Sequence, residues 1–131
     1  MNKLDAALNF HETALRVRGQ RQELLAANIA NADTPGYKAR DINFADTFKQ
    51  ALVGAGGGLK ADTTNPAHIS ATASHQNGVL FRPIIQGSVD GNTVDMDVER
   101  TQFADNALRY EASATMISGQ IRKLLSAIQG Q

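Results

Sequence analysis

The stretch that decides the fold is FADNALRYEASATMISGQIRKLLSAI, residues 103–128. Eight of its apolar or small residues recur alternately four and three positions apart, and none of these eight is charged. That spacing is typical of a helix that packs lengthwise against another helix. The sequence therefore predicts a long C-terminal helix over residues 94–128, with a contact stripe formed by Phe103, Ala107, Tyr110, Ala114, Ile117, Ile121, Leu124 and Ile128.

A second long helix is predicted at the other end of the chain, over residues 3–32. The same four-three spacing relates eight positions there, of which five are aliphatic and three are polar. Alanines beside this stripe favour helix. The two helices are expected to pair through these residues, which on the N-terminal side are Leu4, Leu8, His11, Leu15, Arg18, Gln22, Leu25 and Ile29.

The middle of the chain has a different composition. A turn and an extended segment are predicted over residues 33–43, after which Asn43 is placed to cap a short helix over residues 44–53. Residues 54–93 are rich in Gly, Thr, Ser and Asn, which predicts a flexible region with weak β-structure, and the strand candidates are 69–74, 79–85 and 88–94. The predicted fold is one mainly α domain over residues 1–131, in which the terminal helices pair as a coiled-coil-like hairpin and the middle is a polar loop or short β-hairpin.

Composition excludes several classes of protein. The chain has 131 residues, with 13 basic and 13 acidic side chains, so no net charge directs it to nucleic acid or to an anionic membrane. It has no cysteine, which excludes disulfides, thiolate metal sites and a cysteine nucleophile. The N-terminal residues carry charges where a cleaved signal peptide has an apolar run, and no stretch approaches the ~20 apolar residues of a membrane helix.

The glycine-rich segment GAGGGLKA, residues 54–61, has the wrong residues for a phosphate-binding loop. Such a loop needs Gly directly before its lysine and Ser or Thr directly after it, and Leu59 and Ala61 occupy those positions here. A dinucleotide fingerprint would also need a glycine at Leu59, after a strand. The segment is interpreted as a linker, and no cofactor is expected.

Other candidate chemistry is equally weak. The histidines His11, His68 and His75 have no metal-ligand spacing, and no serine stands in a nucleophile elbow. The acidic residues Asp95, Asp97 and Glu99 are best interpreted as charges that favour the start of a helix. No catalytic residue, metal site or small-molecule substrate is therefore predicted.

A basic group offers an alternative function. It could contact phosphates, and its residues are Arg16, Arg18, Arg21, Lys38 and Arg40. Acidic neighbours dilute its charge, so nucleic-acid binding is not expected, but a monomeric helical adaptor or weak nucleic-acid-binding module stays the alternative. Apolar residues outside the main stripes favour a subunit that packs against further copies, and the residues alone leave open whether the chain is such a subunit or a monomeric hairpin.

Two separated motifs resemble one known family. Residues 28–41 read NIANADTPGYKARD, with Phe44 shortly after, and the C-terminal half carries GNTVDMDVE at 91–99 and NALRY at 106–110. This combination resembles the flagellar rod and hook protein family, and the chain length is similar to that of its short proximal-rod members. The resemblance covers both ends of the chain and is weak over residues 53–83.

The resemblance implies a non-enzymatic subunit of the bacterial flagellar rod, exported by the flagellar type III apparatus without a cleaved signal peptide and assembled in the periplasm. The implied partners are other copies of the chain, other rod proteins, the base adaptor FliE and the export gate.

From the residues, the helix-packing interface is expected to join Leu4, Leu8, Leu15, Leu25 and Ile29 to Phe103, Tyr110, Ile117, Ile121, Leu124 and Ile128. The motif residues Asn28, Asn31, Thr34, Pro35, Gly36 and Tyr37 are expected to end the first helix, redirect the chain, and tie it to an adjacent element or subunit.

Overall fold

The computed structural model describes residues 3–55, 78–84 and 88–130, with side chains described at all of these except 54 and 55. The expected class is confirmed, since the chain is mainly helical, with long helices at both ends and a small antiparallel sheet between them. Its elements in chain order are α1 (Lys3–Ala30), β1 (Arg40–Ile42), α2 (Phe44–Ala55), β2 (Val79–Phe81) and α3 (Met96–Gln129). The linker residues 56–58, the candidate strand 69–74 and the histidines at 68 and 75 lie outside the described residues.

Side-chain caps fix where the second and third helices begin. The carboxylate of Asp95 accepts hydrogen bonds from the N–H groups of Asp97 and Val98, at 3.0 and 3.3 Å, so α3 begins at Met96. The expected cap at Asn43 is confirmed, because its Oδ1 accepts from the N–H of Ala45 at 3.1 Å. Each cap satisfies donors that have no partner inside the helix.

Helices α1 and α3 pack antiparallel. Asn28 contacts Glu99 near one end of the pair, and His11 contacts Gln120 near the other, with 3.1 Å between the amide nitrogen and the imidazole Nε2. Between these ends the ring of Tyr110 lies beside Gly19. Residue numbers therefore fall along α1 as they rise along α3, as in a helical hairpin.

A second side of α1 packs against α2, and the heptad spacing did not predict it. The ring of Phe10 meets that of Phe48 edge-on at 4.9 Å between centroids, and Phe48 stacks with Phe44 at 5.5 Å. Val17, which lies outside the predicted stripe, is only 2% exposed. Aromatic pairs of this kind fasten α2 to the helical pair.

The sheet differs from the predicted hairpin. β2 pairs antiparallel with β1, which precedes α2, in the register Arg40 with Phe81 and Ile42 with Val79. The predicted strand at 79–85 is thus shorter, and the predicted strand at 88–94 is wrong, because those residues form a turn and irregular backbone. The physical reason is side-chain bonding, since Ser88 Oγ donates to the carbonyl of Asn92 at 2.6 Å and closes the turn.

Gly78 shows why β2 begins where it does. Its φ of +69° lies in the left-handed region, and a Cβ there would stand 2.7 Å from the hydroxyl of Thr47 on α2. Only glycine meets both conditions. The chain therefore enters β2 directly against α2, which holds the sheet beside α1.

Apolar burial is small among the residues that the structure describes. The hydrophobic residues buried there are Ala14, Val17, Leu25, Ala39 and Ile42, whereas many large apolar side chains remain exposed. None of the helices in the described residues is both long and apolar enough to cross a membrane.

Candidate functional site

The amide of Asn28 is the centre of the site. Its Oδ1 accepts from the N–H of Arg40 at 3.0 Å, and its Nδ2 donates to the carbonyl of Arg40 at 2.7 Å. The Nδ2 also donates to Glu99 Oε2 at 3.1 Å, and the hydroxyl of Tyr37 donates to Oδ1 at 3.2 Å. Asn28 is fully buried, and these contacts match the two donors and two acceptor positions that a carboxamide offers.

This arrangement explains the chemistry of the motif. An amide presents a donor and an acceptor side by side, as a strand backbone does, so it can pair with both backbone groups of Arg40. The structure therefore places Asn28 and Tyr37 in contacts within their own chain, where they join α1 to β1 and, through Glu99, to α3.

A cluster of charged side chains lies next to Asn28 and connects four elements. Arg21 on α1 donates from Nε and Nη2 to the carboxylate of Asp41 at 2.9 and 3.1 Å, and also to the side-chain carbonyl of Gln102 at 2.8 Å. Arg82, directly after β2, donates to Asp41 at 2.9 Å and to Glu99. We call Arg21, Asp41, Arg82 and Glu99 the charge cluster; two cations face two anions in it, which is how charges are retained in a protein interior.

The pKa values of the two carboxylates in the charge cluster are shifted in opposite directions. Burial raises the pKa of Glu99, and the hydrogen bond from Asn28 and the charge of Arg82 offset this only in part. Burial acts in the same direction on Asp41, but hydrogen bonds from Arg21, from the N–H of Ile42 and from Arg82 outweigh it and hold the pKa of Asp41 below its ordinary value.

We expect opposite pH dependences from the two groups. Asp41 binds protons less readily when folded, so its contribution to the free energy of unfolding is present above about pH 4 and is lost as the pH falls through its lowered pKa. Glu99 binds protons more readily when folded, so its contribution is lost as the pH rises above about 4 through its raised pKa. Urea unfolding between about pH 3 and 7 should show Glu99→Gln gaining stability relative to the unchanged chain as the pH rises, and Asp41→Asn losing it. Parallel profiles for both variants would contradict this assignment.

The end of α1 is held by a residue that the sequence reasoning missed. The side-chain nitrogen of Asn92 lies 2.8–2.9 Å from the carbonyls of Asn31, Ala32 and Thr34, which share its two hydrogens. These carbonyls lie where the helix can no longer supply partners. The sequence signal is that Asn92 belongs to the turn-forming run Asp90–Gly91–Asn92, inside the strand candidate 88–94.

Asn92→Ala should lower the free energy of unfolding by about 1–3 kcal/mol, because the carbonyls of Asn31, Ala32 and Thr34 would lose the donor that they share and the N–H of Val94 would lose its acceptor. Asn92→Asp is the matched isostere, and it should cost at least as much, since it brings a carboxylate to carbonyl oxygens. Chemical denaturation followed by circular dichroism measures both. If the Asn92→Asp variant had the same free energy of unfolding as the unchanged chain, the contact of Asn92 would not be what holds the end of the helix.

The other motif residues form the turn itself. The amide of Asn31 donates to the carbonyl of Ala27 at 2.8 Å, and the hydroxyl of Thr34 donates to Asn31 Oδ1 at 3.1 Å. The N–H of Tyr37 donates to the carbonyl of Thr34 at 3.3 Å, and Gly36 has a φ of +71°, as a type II turn with proline before the glycine requires. Thr34, Pro35 and Gly36 are exposed.

The predicted helix-packing residues are divided between the interior and the surface. Leu25 is fully buried, whereas Tyr110 and Ile121 are 44% exposed and Ile128 is 81% exposed. The rest of the predicted set is half-buried except for Leu4, which is 40% exposed; the half-buried residues are Leu8, Leu15, Ile29, Phe103, Ile117 and Leu124. The apolar stripe of α3 is therefore only partly covered by α1.

Polar residues explain why the predicted apolar stripe of α3 does not face α1 directly. The fully buried Asn106 donates to the backbone carbonyl of Arg18 at 2.9 Å and to the side chain of Gln22 at 2.7 Å. Glu99 and Gln102 also point to α1 or to the charge cluster. Heptad counting registers only apolar positions, so it placed the contact face of α3 to one side of the real one.

Three of the five residues of the predicted basic group are engaged in contacts within the chain. Arg21 is held by Asp41, the guanidinium of Arg18 lies 4.1 Å from the ring centre of Phe44, and Lys38 donates to the carbonyl of Gly91 at 2.8 Å. This distribution disfavours the phosphate-binding alternative. Within the described ranges, no three acidic or histidine side chains are grouped as metal ligands.

Comparison with known proteins gives concordant relatives. Residues 8–38 match the family model described as flagella basal body rod protein. The chain is 50% identical to the flagellar basal body rod protein FlgB of Salmonella typhimurium over 135 residues, which cover 99% of this chain and 98% of the relative. It is 50% identical to FlgB of Escherichia coli K12, over 98% of this chain and 97% of the relative, and 47% identical to FlgB of Yersinia enterocolitica, over 98% of each.

Proposed function

Since the chain belongs to the flagellar basal body rod protein FlgB family and is a structural subunit of the basal body rod, we propose that it polymerises through its terminal helices. The contact surface would be the apolar stripe of α3, together with the neighbouring stripe of α1.

The exposed stripe of α3 is the observation that carries this proposal. Tyr110, Ile121 and Ile128 keep between 44% and 81% of their surface in contact with solvent, while the face of α3 toward α1 holds the polar Glu99 and Asn106. Burial of apolar surface is favourable by about 25 cal/mol per Å², so a second chain seated on this stripe gains what α1 does not supply. A repeated contact of this kind that does not close on itself yields an open helical assembly.

The stripe of α1 takes part at its N-terminal end. Leu4 is 40% exposed and lies on the same stripe as Leu8, Leu15 and Ile29, which are half-buried. Leu25 is fully buried and belongs to the fold of the single subunit. We therefore assign the predicted packing residues two roles, with the fold secured near the Leu25 end of α1 and assembly near its N-terminus.

The motif around Asn28 has an internal role in this proposal. Asn28, Tyr37 and the charge cluster fix β1 and β2 to the helical pair, and Asn31 and the turn at Pro35–Gly36 start the excursion away from it. A subunit that presents these elements in one orientation can repeat the same contacts in every copy. Motif residues would thus act on assembly through the shape of the subunit.

Partners and location follow from the family as proposals. The rod subunit would contact other rod proteins, the base adaptor FliE and the flagellar export gate, and it would reach the periplasmic rod through the flagellar type III system without cleavage of a signal peptide. No enzymatic activity is proposed.

Deletion and complementation test this function. A strain that lacks the gene should form no complete rod or hook and should not swim, and the full chain supplied from a plasmid should restore both. Electron microscopy of hook–basal bodies and swimming in soft agar are the measurements. Intact hook–basal bodies in the deletion strain would refute a rod role.

A further inference from the structure

A second stripe runs along α3, on the side that faces away from α1. Its six positions are spaced alternately three and four apart, and all six are exposed. They read the same from both directions, as a leucine, a charged residue, a hydroxyl, a hydroxyl, a charged residue and a leucine: Leu108, Glu111, Thr115, Ser118, Arg122 and Leu125. We call these residues the palindromic stripe.

From this symmetry we infer that the chain forms a closed dimer in solution, in which the palindromic stripes of two copies pack antiparallel. The three-four spacing keeps the stripe on one face of a helix that packs against a neighbour. In the antiparallel register Leu108 meets Leu125 of the partner subunit, and Thr115 meets Ser118 of the partner subunit. Each contact occurs twice, as a twofold axis requires.

The charges on the palindromic stripe favour a second copy of the chain in the antiparallel orientation. Glu111 of one copy faces Arg122 of the partner subunit, and the reciprocal pair forms at the other end. Among the described residues neither side chain has an ion-pair partner, whereas the neighbouring Arg109 is already paired with Asp105 at 2.9 Å. A parallel pairing would instead bring Glu111 against Glu111 of the partner subunit, which repels.

The centre of the stripe suits close contact between two helices. Thr115 and Ser118 donate their hydroxyl hydrogens to carbonyls of their own helix, at 3.0 and 2.9 Å, so these side chains need no other hydrogen-bond acceptor when covered. At Gly119 nothing lies within 4 Å of the position a Cβ would take. A shallow groove of about 350 Å³ runs along this face between Glu111 and Arg122, where the helix of a second copy would lie.

This dimer is distinct from the rod contact. A twofold pair closes on itself and adds no further copies, unlike the open contact that extends a rod. It does not rest on the proposed rod function, although Leu125, which is 50% exposed, borders both surfaces. A copy held in the dimer therefore has less of its apolar surface free for assembly.

Charge reversal tests the pairing. Sedimentation velocity of the purified full chain over a range of concentrations should show a dimer, and Arg122→Glu or Glu111→Arg should each shift the protein to monomer. The double variant, with both changes in one chain, should restore the dimer because each reversed charge again meets its opposite. Lys123→Glu is the matched control and should leave the dimer intact. A monomeric unchanged chain, or a double variant no better than the singles, would overturn the inference.

Cysteine cross-linking tests the relative orientation of the two helices. The chain has no cysteine of its own, so only introduced cysteines can form disulfides. Ala104 and Gln129 continue the stripe by one step at each end and lie opposite each other in the antiparallel register. A mixture of the Ala104→Cys and Gln129→Cys chains should give a disulfide-linked heterodimer, while each variant alone should give little. In a parallel pair each variant would cross-link with itself, because the two positions lie roughly 38 Å apart along one helix.

Discussion

Asn28→Ala should lower the free energy of unfolding by about 3–5 kcal/mol, a large part of the roughly 5–15 kcal/mol that keeps a domain folded. The change leaves the N–H and carbonyl of Arg40 without partners, and it also removes the donor to Glu99 and the acceptor of Tyr37. Each buried polar group left unpaired costs about 1–3 kcal/mol. Urea unfolding followed by the helical signal in circular dichroism measures the loss of free energy of unfolding.

Asn31→Ala is the matched control for that variant. Asn31 lies three residues further along and is half-buried, and its side chain bonds only to nearby residues, donating to the carbonyl of Ala27 and accepting from the exposed hydroxyl of Thr34. We expect a cost of about 1 kcal/mol or less. Equal losses from the two variants would show that the contacts of Asn28 with β1 and α3 do not hold the fold.

Ile121→Glu should abolish the rod while leaving the free subunit folded. Ile121 is 44% exposed in the single chain, so a glutamate there keeps much of its contact with water. At a contact between subunits the same carboxylate would be buried without a partner, which costs several kcal/mol. A strain with this variant as its only copy should form no hook–basal bodies and should not spread in soft agar.

Ala112→Glu is the control for the assembly test. Ala112 is exposed on the same helix, and nine residues place it about half a turn from Ile121, on the opposite side. We expect rods and swimming in this strain. Purified Ile121→Glu protein should also match the helix content of the unchanged chain, so that loss of rods is not loss of folding. Swimming by the Ile121→Glu strain would exclude this stripe as a rod contact.

The sequence predicted those features that local chemistry determines. The lengths of α1 and α3 follow from long apolar periodicity, the start of α2 follows from the cap at Asn43, and the turn at Pro35–Gly36 follows from the φ that each residue permits. Each of these depends on neighbours within a few positions along the chain. Local preferences were therefore sufficient for them.

Features that depend on distant residues were missed. The pairing of β1 with β2 spans α2, the contact of Asn92 with Ala32 at the end of α1 spans 60 residues, and that of Asn28 with Glu99 spans 71. Asn106 was missed for another reason, since a buried amide looks like any surface asparagine until its partners on α1 are known. The candidate site is built mainly from such polar contacts, so its hydrogen-bond and ion-pair partners were much less predictable than the helices.

The pairing of Asn28 with Arg40 has a consequence for growth of the sheet. The amide takes both hydrogen-bonding positions that a neighbouring strand would use at Arg40, on the side of β1 opposite β2. Unpaired strand edges are the usual starting points for unwanted association between chains. A buried side chain thus acts as a cover for one edge of the sheet, and a third strand has no place to begin at Arg40.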